Sequence, residues 1–403
     1  MPIRAAGRQA MERGYDSTAA FESAGRLVSR GPHAAPVFVV ATLCLGLVRA
    51  AGGGDDMSPA GQASAPQARP PATAFALRSM HVLHLPLLDF GAAQPGTPSP
   101  GSFEWVLSTG YATTYSTTWH ARRVHDDPAR RGKPLSREEA DYIHAAFPND
   151  GVLFVDGESS RASLSGRYGL TRSLSVSVEV PYVGHGSNGV EQFVHGFHQA
   201  FGLEENGRDL FPRGHTTVML QLPGGPLSLT DFHPDSGLGD VTATLSWRRP
   251  RFAGGWTLGL DAAVKAPTGS AADLNGSGGW DGGLLAFGVF EKGRWTLEAD
   301  GSIVLPGKWR TPVPLDPSAF GRMVLSVIYA FGPRTRAGVS LTAAQSPYRD
   351  RSYSSLSEAG VELGLGAEHD FGPRFAVRLL FTEGLPSSGD RSDFGVMLGL
   401  RYR

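Results

Sequence analysis

Three side chains in the middle of the chain have a spacing that could hold a metal. Glu191, His195 and His198 fall at i, i+4 and i+7. On a helix that spacing puts one carboxylate and two imidazoles on one face, three of the four ligands of a tetrahedral zinc. His185, Ser187 and Asp209 lie in the same stretch, so a base, a hydroxyl nucleophile and an acid could also converge there as in a hydrolase. Neither pattern is completed. No fourth ligand is pinned by the spacing, and no Gly-x-Ser-x-Gly turn surrounds a serine. The competing reading is a packing helix over residues 189–202. Val190, Phe193, Val194, Phe197 and Phe201 recur there at helical spacing and would form a lid over an apolar surface. The lid outweighs the metal, and no catalytic residue, metal or cofactor is assigned.

A second set of charges recurs at every other residue of alternating segments. The acids are Glu179, Asp261, Glu298, Asp300, Glu362 and Glu368. The bases are Arg248, Lys265, Arg322, Arg336, Arg378 and Arg401. They balance, which argues against a strongly ion-selective constriction of one sign. Two readings stay open: salt-bridged packing of an interior, or the wall of a narrow, weakly selective channel.

The segments that carry these charges are strands. In the last stretch Val361, Leu363, Leu365 and Ala367 alternate with Glu362, Gly364, Gly366 and Glu368. Phe375, Val377, Leu379 and Phe381 follow in the same period, then Phe394, Val396, Leu398, Leu400 and Tyr402. Period two over roughly ten residues means a strand with one apolar and one polar face. Val176, Val178 and Val180 against Ser175, Ser177 and Glu179 form the cleanest upstream example.

About twelve such strands can be counted between residues 103 and 403. Turns near Arg172, Ala253, Lys292, Pro333 and Pro373 are short, while connections near Ala129, Gly202, Gly276, Pro312, Arg351 and Ser388 are long. Short and long alternate throughout, as in an up-and-down antiparallel transmembrane β-barrel with both ends at the periplasmic side. Trp105, Trp247, Trp256, Trp295 and Tyr402 lie beside chain ends or short turns, where an aromatic girdle belongs. A soluble β-sandwich would alternate too, but has no need of that loop pattern.

Composition agrees. The 403 residues are 41% hydrophobic and 19% charged, with 53 Gly, 29 Pro and one Cys, and no apolar run is long enough for a spanning helix. Residues 34–48 form a shorter apolar run behind Arg26 and Arg30, so residues 1–50 are expected to be a signal peptide. Cys44 lies inside that run behind Leu43, which is too large for a lipid-attachment site. Removing residues 1–50 takes away a surplus of three positive charges and moves the net charge from −1 to −4, which excludes a nucleic-acid binder. Residues 51–102 are expected to be a periplasmic linker or arm. Within it, residues 77–90 are more apolar and would either dock at the mouth, enter the lumen or stay free.

The order of several motifs carries a resemblance. They are Val-Asp-Gly-Glu at 155–158, Glu-Val-Pro-Tyr-Val at 179–183, His-Gly-Phe-His-Gln-Ala-Phe-Gly-Leu at 195–203, Asn-Gly-Arg-Asp at 206–209, Ser-Gly-Leu-Gly-Asp at 236–240, Lys-Ala-Pro-Thr-Gly at 265–269 and Gly-Ser-Gly-Gly at 276–279. In this order they resemble an uncharacterised family of proteobacterial outer-membrane β-barrel proteins, a domain of unknown function. The resemblance implies the cell outer membrane as location, its lipids and lipopolysaccharide as surroundings and the barrel-assembly machinery as a partner. It implies no substrate. A passive channel or binding barrel for small polar or amphiphilic solutes, gated by the helix at 189–202 folded over the barrel mouth, is the leading expectation. A structural barrel, a lipopolysaccharide-binding barrel using Arg122, Arg123, Arg130, Arg131, Lys133 and Arg137, and an outer-membrane hydrolase are the alternatives.

Overall fold

A computed structural model of the chain describes residues 73–186, 196, 210–212, 216–232, 236–349, 354–385, 392 and 394–403. The expected signal peptide and the expected helix at 189–202, Gly196 apart, lie outside the described residues. In chain order the elements begin with β1 (Phe103–Thr117), α1 (Trp119–Val124), α2 (Arg137–Ala146), β2 (Val152–Gly169) and β3 (Leu174–His185). Next come the hairpin β4 (Thr216–Gln221) and β5 (Leu227–Phe232), the two-residue β6 (Gly237–Leu238), β7 (Thr242–Phe252), β8 (Trp256–Lys265) and β9 (Asp281–Lys292). The chain continues with β10 (Trp295–Leu305), β11 (Phe320–Ala330), β12 (Thr335–Ala344), the single turn α3 (Ser354–Ser357), β13 (Gly360–Asp370), β14 (Phe375–Gly384) and β15 (Phe394–Tyr402).

Leaving out β4, β5 and β6, the strands pair antiparallel in sequence order, and β15 returns to β1 with Trp105 opposite Tyr402 and Thr113 opposite Phe394. The result is a closed twelve-stranded barrel with no free edge. The alternation that predicted strands also sets their polarity. On β8, Leu260 and Val264 face out while Asp261 and Lys265 are buried. On β13, Leu365 faces out while Glu362 and Glu368 are buried. An apolar outside around a charged inside inverts a soluble sandwich and matches a barrel whose solvent is lipid. Phe103, Trp105, Trp247, Trp295, Phe331, Phe371 and Tyr402 stay exposed at the end where all the short turns lie, completing an aromatic ring at that rim.

At the other end the long connections build structure of their own. The long connection near Ala129 contains α1 and α2. A capping box starts α2: the Ser136 hydroxyl accepts from the Glu139 backbone N–H at 3.3 Å, and the Glu139 carboxylate accepts from the Ser136 N–H at 2.8 Å. Strand β2 also outgrows the barrel. Its later half pairs with β3, but residues 152–156 pair with β4 instead, so β1, β2, β4 and β5 continue as a sheet above the wall. One face of that sheet packs Tyr115, Phe154 and Met219 against Ala121, Leu135, Ala140 and Ile143 of the helical segment. The other face carries Leu153, Val155, Val218 and Leu220 toward the barrel axis.

Burial of His120 on α1 holds its imidazole below the usual histidine range, with Asp150 at 3.3 Å offsetting part of the effect. The folded pKa is depressed, so the unfolded segment takes up the proton first. This contribution to stability is therefore present above pH about 6.5 and is lost as the pH falls. Amide exchange in α1, corrected for its intrinsic pH dependence, should speed up between pH 7.5 and pH 5, and His120→Gln should remove that difference. Placing a charge on the outside of the wall tests the polarity of the barrel: Leu365→Arg should cost about 2–4 kcal/mol in reversible unfolding from lipid.

Candidate functional site

The lumen is occupied by the chain itself. Residues 73–98 enter at the short-turn end, reach the long-loop end and return. At the start, the Arg378 guanidinium near the lower end of β14 donates to the carbonyls of Thr73, at 2.7 Å, and Ala74. At the finish, Gly169, just before a short turn, packs against the carbonyls of Pro98 and Ser99. Between them, residues 81–87 make a tight helical turn, with His84 N–H and Leu85 N–H donating to the His81 carbonyl at 2.8 and 3.0 Å. Ser79 N–H donates to Asp89 Oδ2 at 2.5 Å, joining the ascending and descending legs just below the turn.

The legs are extended and pair with no strand, so their backbone groups need other partners. The wall supplies them. Phe75 N–H donates to Ser340 Oγ at 3.0 Å, and Arg322 donates to the Leu77 carbonyl at 2.6 Å and to Asp89 at 3.2 Å. On the descending leg Arg248 donates to the Gln94 carbonyl at 2.8 Å, and Arg167 donates to Gln94 Oε1 at 2.8 Å and the Gly96 carbonyl at 2.7 Å. The tip is held differently. Val82, Leu83 and Leu87 are buried with Leu153, Val155, Val218 and Leu220 of the overgrown sheet and with Leu274, Trp309, Val313, Leu315, Tyr348 and Leu356 of the outer connections. Tyr348 OH donates to the Leu83 carbonyl at 2.6 Å, and Asp281 accepts from Leu88 N–H at 2.9 Å. The legs therefore combine arginine-held carbonyls with apolar contacts, Phe75 and Leu77 against Ile328 and Leu380 and Ala93 against Leu285, Phe287 and Val289, while the tip is held mainly by apolar packing.

The twelve charges read from the sequence all sit on the inner face. Arg248 forms a two-pronged pair with Asp261 at 2.6 and 3.0 Å. Lys265 pairs with Asp240, and with Asp281 at 3.2 Å. Glu368 takes Arg336 and, at 3.0 Å, Arg401. Glu179 accepts from Arg161 at 2.6 Å and from Arg78 of the plug at 3.1 Å. Arg322 and Arg378 donate to the plug, with Arg378 Nε left without a partner among the described residues, while Glu298, Asp300 and Glu362 are buried in the wall. Sequence reasoning missed the partners: Arg78 and Asp89 on the plug, Arg161 and Arg167 on β2, and Asp240 and Asp281 at the outer ends. Arg161 and Arg167 were within reach, because they have the opposite parity to the outward Leu164. Phe193, Phe197, Phe201, Glu191, His195, His198, Ser187 and Asp209 lie outside the described residues.

A cavity of about 170 Å³ remains between the plug and the wall formed by β1, β2, β14 and β15. Arg78, Arg161, Arg378 and Arg401 line it with Glu179 and Glu368, and Ala76, Leu77, Met80, Phe90, Val106 and Met397 supply apolar surface.

A family model described as "Protein of unknown function (DUF3187)" matches residues 143–403. No curated protein matches the chain. Among solved structures, the chain is similar to the COG4313 outer membrane channel from Pseudomonas putida F1, at 14% identity over 78% of this chain and 99% of that one, with a TM-score of 0.46. It is also similar to the NanC porin, at 8% identity over 74% and 99% with a TM-score of 0.37. A third likeness is to the P. putida toluene transporter TodX, at 10% identity over 76% and 91% with a TM-score of 0.35.

Gly366 shows how closely the plug is fitted, since a Cβ there would overlap the Phe75 ring, and one at Gly364 would overlap the Phe75 carbonyl. Gly366→Leu should push the ascending leg off the wall while leaving the outer face of β13 unchanged. A cysteine introduced in place of Ala74, which is fully buried, should then react with a water-soluble maleimide several-fold faster than in the Gly366 background. An unchanged rate would mean that this contact does not hold the plug.

Proposed function

The chain belongs to the DUF3187 family, proteins of unknown function, and we propose that it is a passive outer-membrane channel for small polar or amphiphilic solutes whose resting state is closed by residues 73–98. The observation that carries this reading is the way the lumen is closed. A barrel of twelve strands is wider than the roughly eight whose wall side chains alone can fill the interior. A separate stretch of chain closes this one, and Thr73 and Pro98 at its two ends both lie at the short-turn mouth. Withdrawing it breaks no wall ladder, so the barrel survives with its lumen open.

The nature of the contacts supports the same reading. Along the legs, the carbonyls of Thr73, Ala74, Leu77, Gln94 and Gly96 are bonded by arginines, and water can replace such bonds to a charged donor at a net cost of about 1.5–3 kcal/mol each. What would remain on the wall is a hydrated surface of paired charges without one dominant sign. The outward apolar belt and the aromatic rim suit a bilayer, and the pattern of short and long connections supports reading the short turns, and so the plug entrance, as periplasmic. A second reading has its own observation: the apolar cluster around Val82, Leu83 and Leu87 seals the outer mouth as a hydrophobic core would, which favours a permanently closed structural or lipopolysaccharide-binding barrel.

Planar-bilayer recording separates the two. Deleting residues 73–98 should convert a silent or rarely opening protein into one with steady conductance, while heat-modifiable mobility on gels reports that the barrel still closes. If the intact and the deleted proteins both stay silent in bilayers and in liposome swelling, the channel fails and the closed barrel takes its place.

A further inference from the structure

The cavity beside the plug has a surplus of positive charge that its own residues do not neutralise. Of its ionisable lining groups, four are arginines and two are glutamates. Glu179 is already shared by Arg78 and Arg161, and Glu368 by Arg401 and the non-lining Arg336. Arg378 makes no ion pair among the described residues; its guanidinium bonds the Thr73 and Ala74 carbonyls and lies 4.8 Å from the Phe75 ring centre. Arg161 is only 9% exposed, and its Nε has no hydrogen-bond partner among the described residues. A buried guanidinium with a free N–H beside an empty space is a group that lacks its acceptor.

The rest of the lining limits what that acceptor can be. Leu77, Met80 and Phe90 come from the two legs of the plug, and Val106 and Met397 from the wall. A bare inorganic anion would satisfy the arginines and leave this apolar surface against water. The volume of about 170 Å³ is close to the roughly 150 Å³ that accommodates a benzene ring. We propose that this cavity binds an organic carboxylate with a single-ring or short-chain apolar body, its carboxylate on Arg161 and Arg378 and its body against Leu77, Met80 and Phe90. Both plug and wall supply the site, so the ligand is bound in the closed state. That such a carboxylate is also the solute carried rests on the channel reading above; that it binds does not.

The test uses the full chain purified in detergent, with calorimetric titration of benzoate, benzamide and inorganic phosphate at neutral pH. Benzoate should bind saturably at one site. Benzamide, which keeps the ring and loses the charge, should bind at least about tenfold more weakly, as should phosphate, which keeps charge and loses the ring. Arg161→Gln and Arg378→Gln should each weaken benzoate about tenfold or more while the protein keeps its heat-modifiable mobility. Removing residues 73–98 takes away nine of the 23 lining residues, Leu77, Met80 and Phe90 among them, and should abolish binding. Benzoate that fails to saturate overturns the proposal, as does benzamide or phosphate binding as well as benzoate, or benzoate binding unchanged in both arginine variants. Where a variant does not fold, the three probes on the unaltered chain decide. Conductance of the deleted barrel without benzoate binding to the intact one sinks the site and keeps the channel, and binding without conductance does the reverse.

Discussion

An extended peptide inside a closed barrel has no strand to pair with, and everything inside this wall answers that fact. Residues 73–98 carry carbonyls and N–H groups into a space from which most water is excluded, and leaving them unbonded would cost about 1–3 kcal/mol each. Arginine suits the task, since its planar fork offers five donors and stays charged when buried. Arg322, Arg378, Arg248 and Arg167 reach the plug from different wall strands, and three of them also face a carboxylate. The charged interior is therefore the hydrogen-bonding complement of a particular peptide as well as a set of salt bridges.

The two ends of the lumen are closed by different physics. Below, arginine-bonded carbonyls are interspersed with small apolar clusters, such as Phe75 and Leu77 on Ile328 and Leu380. Above, Val82, Leu83 and Leu87 form the centre of a buried cluster to which three outer connections and the overgrown β1–β2–β4–β5 sheet all contribute. The sheet is thus covered on both faces, by the plug tip inside and by α1 and α2 outside. The arrangement makes the outer loops depend on the plug for their apolar core, so the order of the outer surface and the closure of the lumen are one property.

The wall was legible because lipid outside and charge inside write a strong period-two signal, and Leu365 beside Glu362 and Glu368 shows how sharply. The two-way choice for the interior charges, packing or channel wall, assumed that side chains alone fill the lumen. Residues 77–90 carried no period, because their partners are arginines spread over several strands rather than one neighbouring ladder, and Pro86 breaks any helical reading. Their entry into the lumen was one option among several and needed the three-dimensional wall to decide it. The helices in 116–149 were hidden by their surface charge, although Ser136 and Glu139 stood at capping-box spacing. For Phe193, Phe197, Phe201 and the Glu191, His195 and His198 set, the described residues add nothing to the sequence.

The position of the plug in the chain also sets an order of events. It precedes β1, so it leaves the ribosome before any part of the wall that will surround it. Its contacts are among the longest in sequence, with Phe75 bonding Ser340 across 265 residues and Arg378 reaching back across 305 to Thr73. Such contacts form late, because a long loop must close before they gain anything. The seam between β1 and β15 is the last that synthesis makes possible. A nascent barrel must therefore hold its seam open around a waiting peptide or admit a hairpin through its lower mouth afterwards. On the first route the wall closes and fills in one stage; on the second they are separate stages, and a chain caught between them has an unfilled lumen.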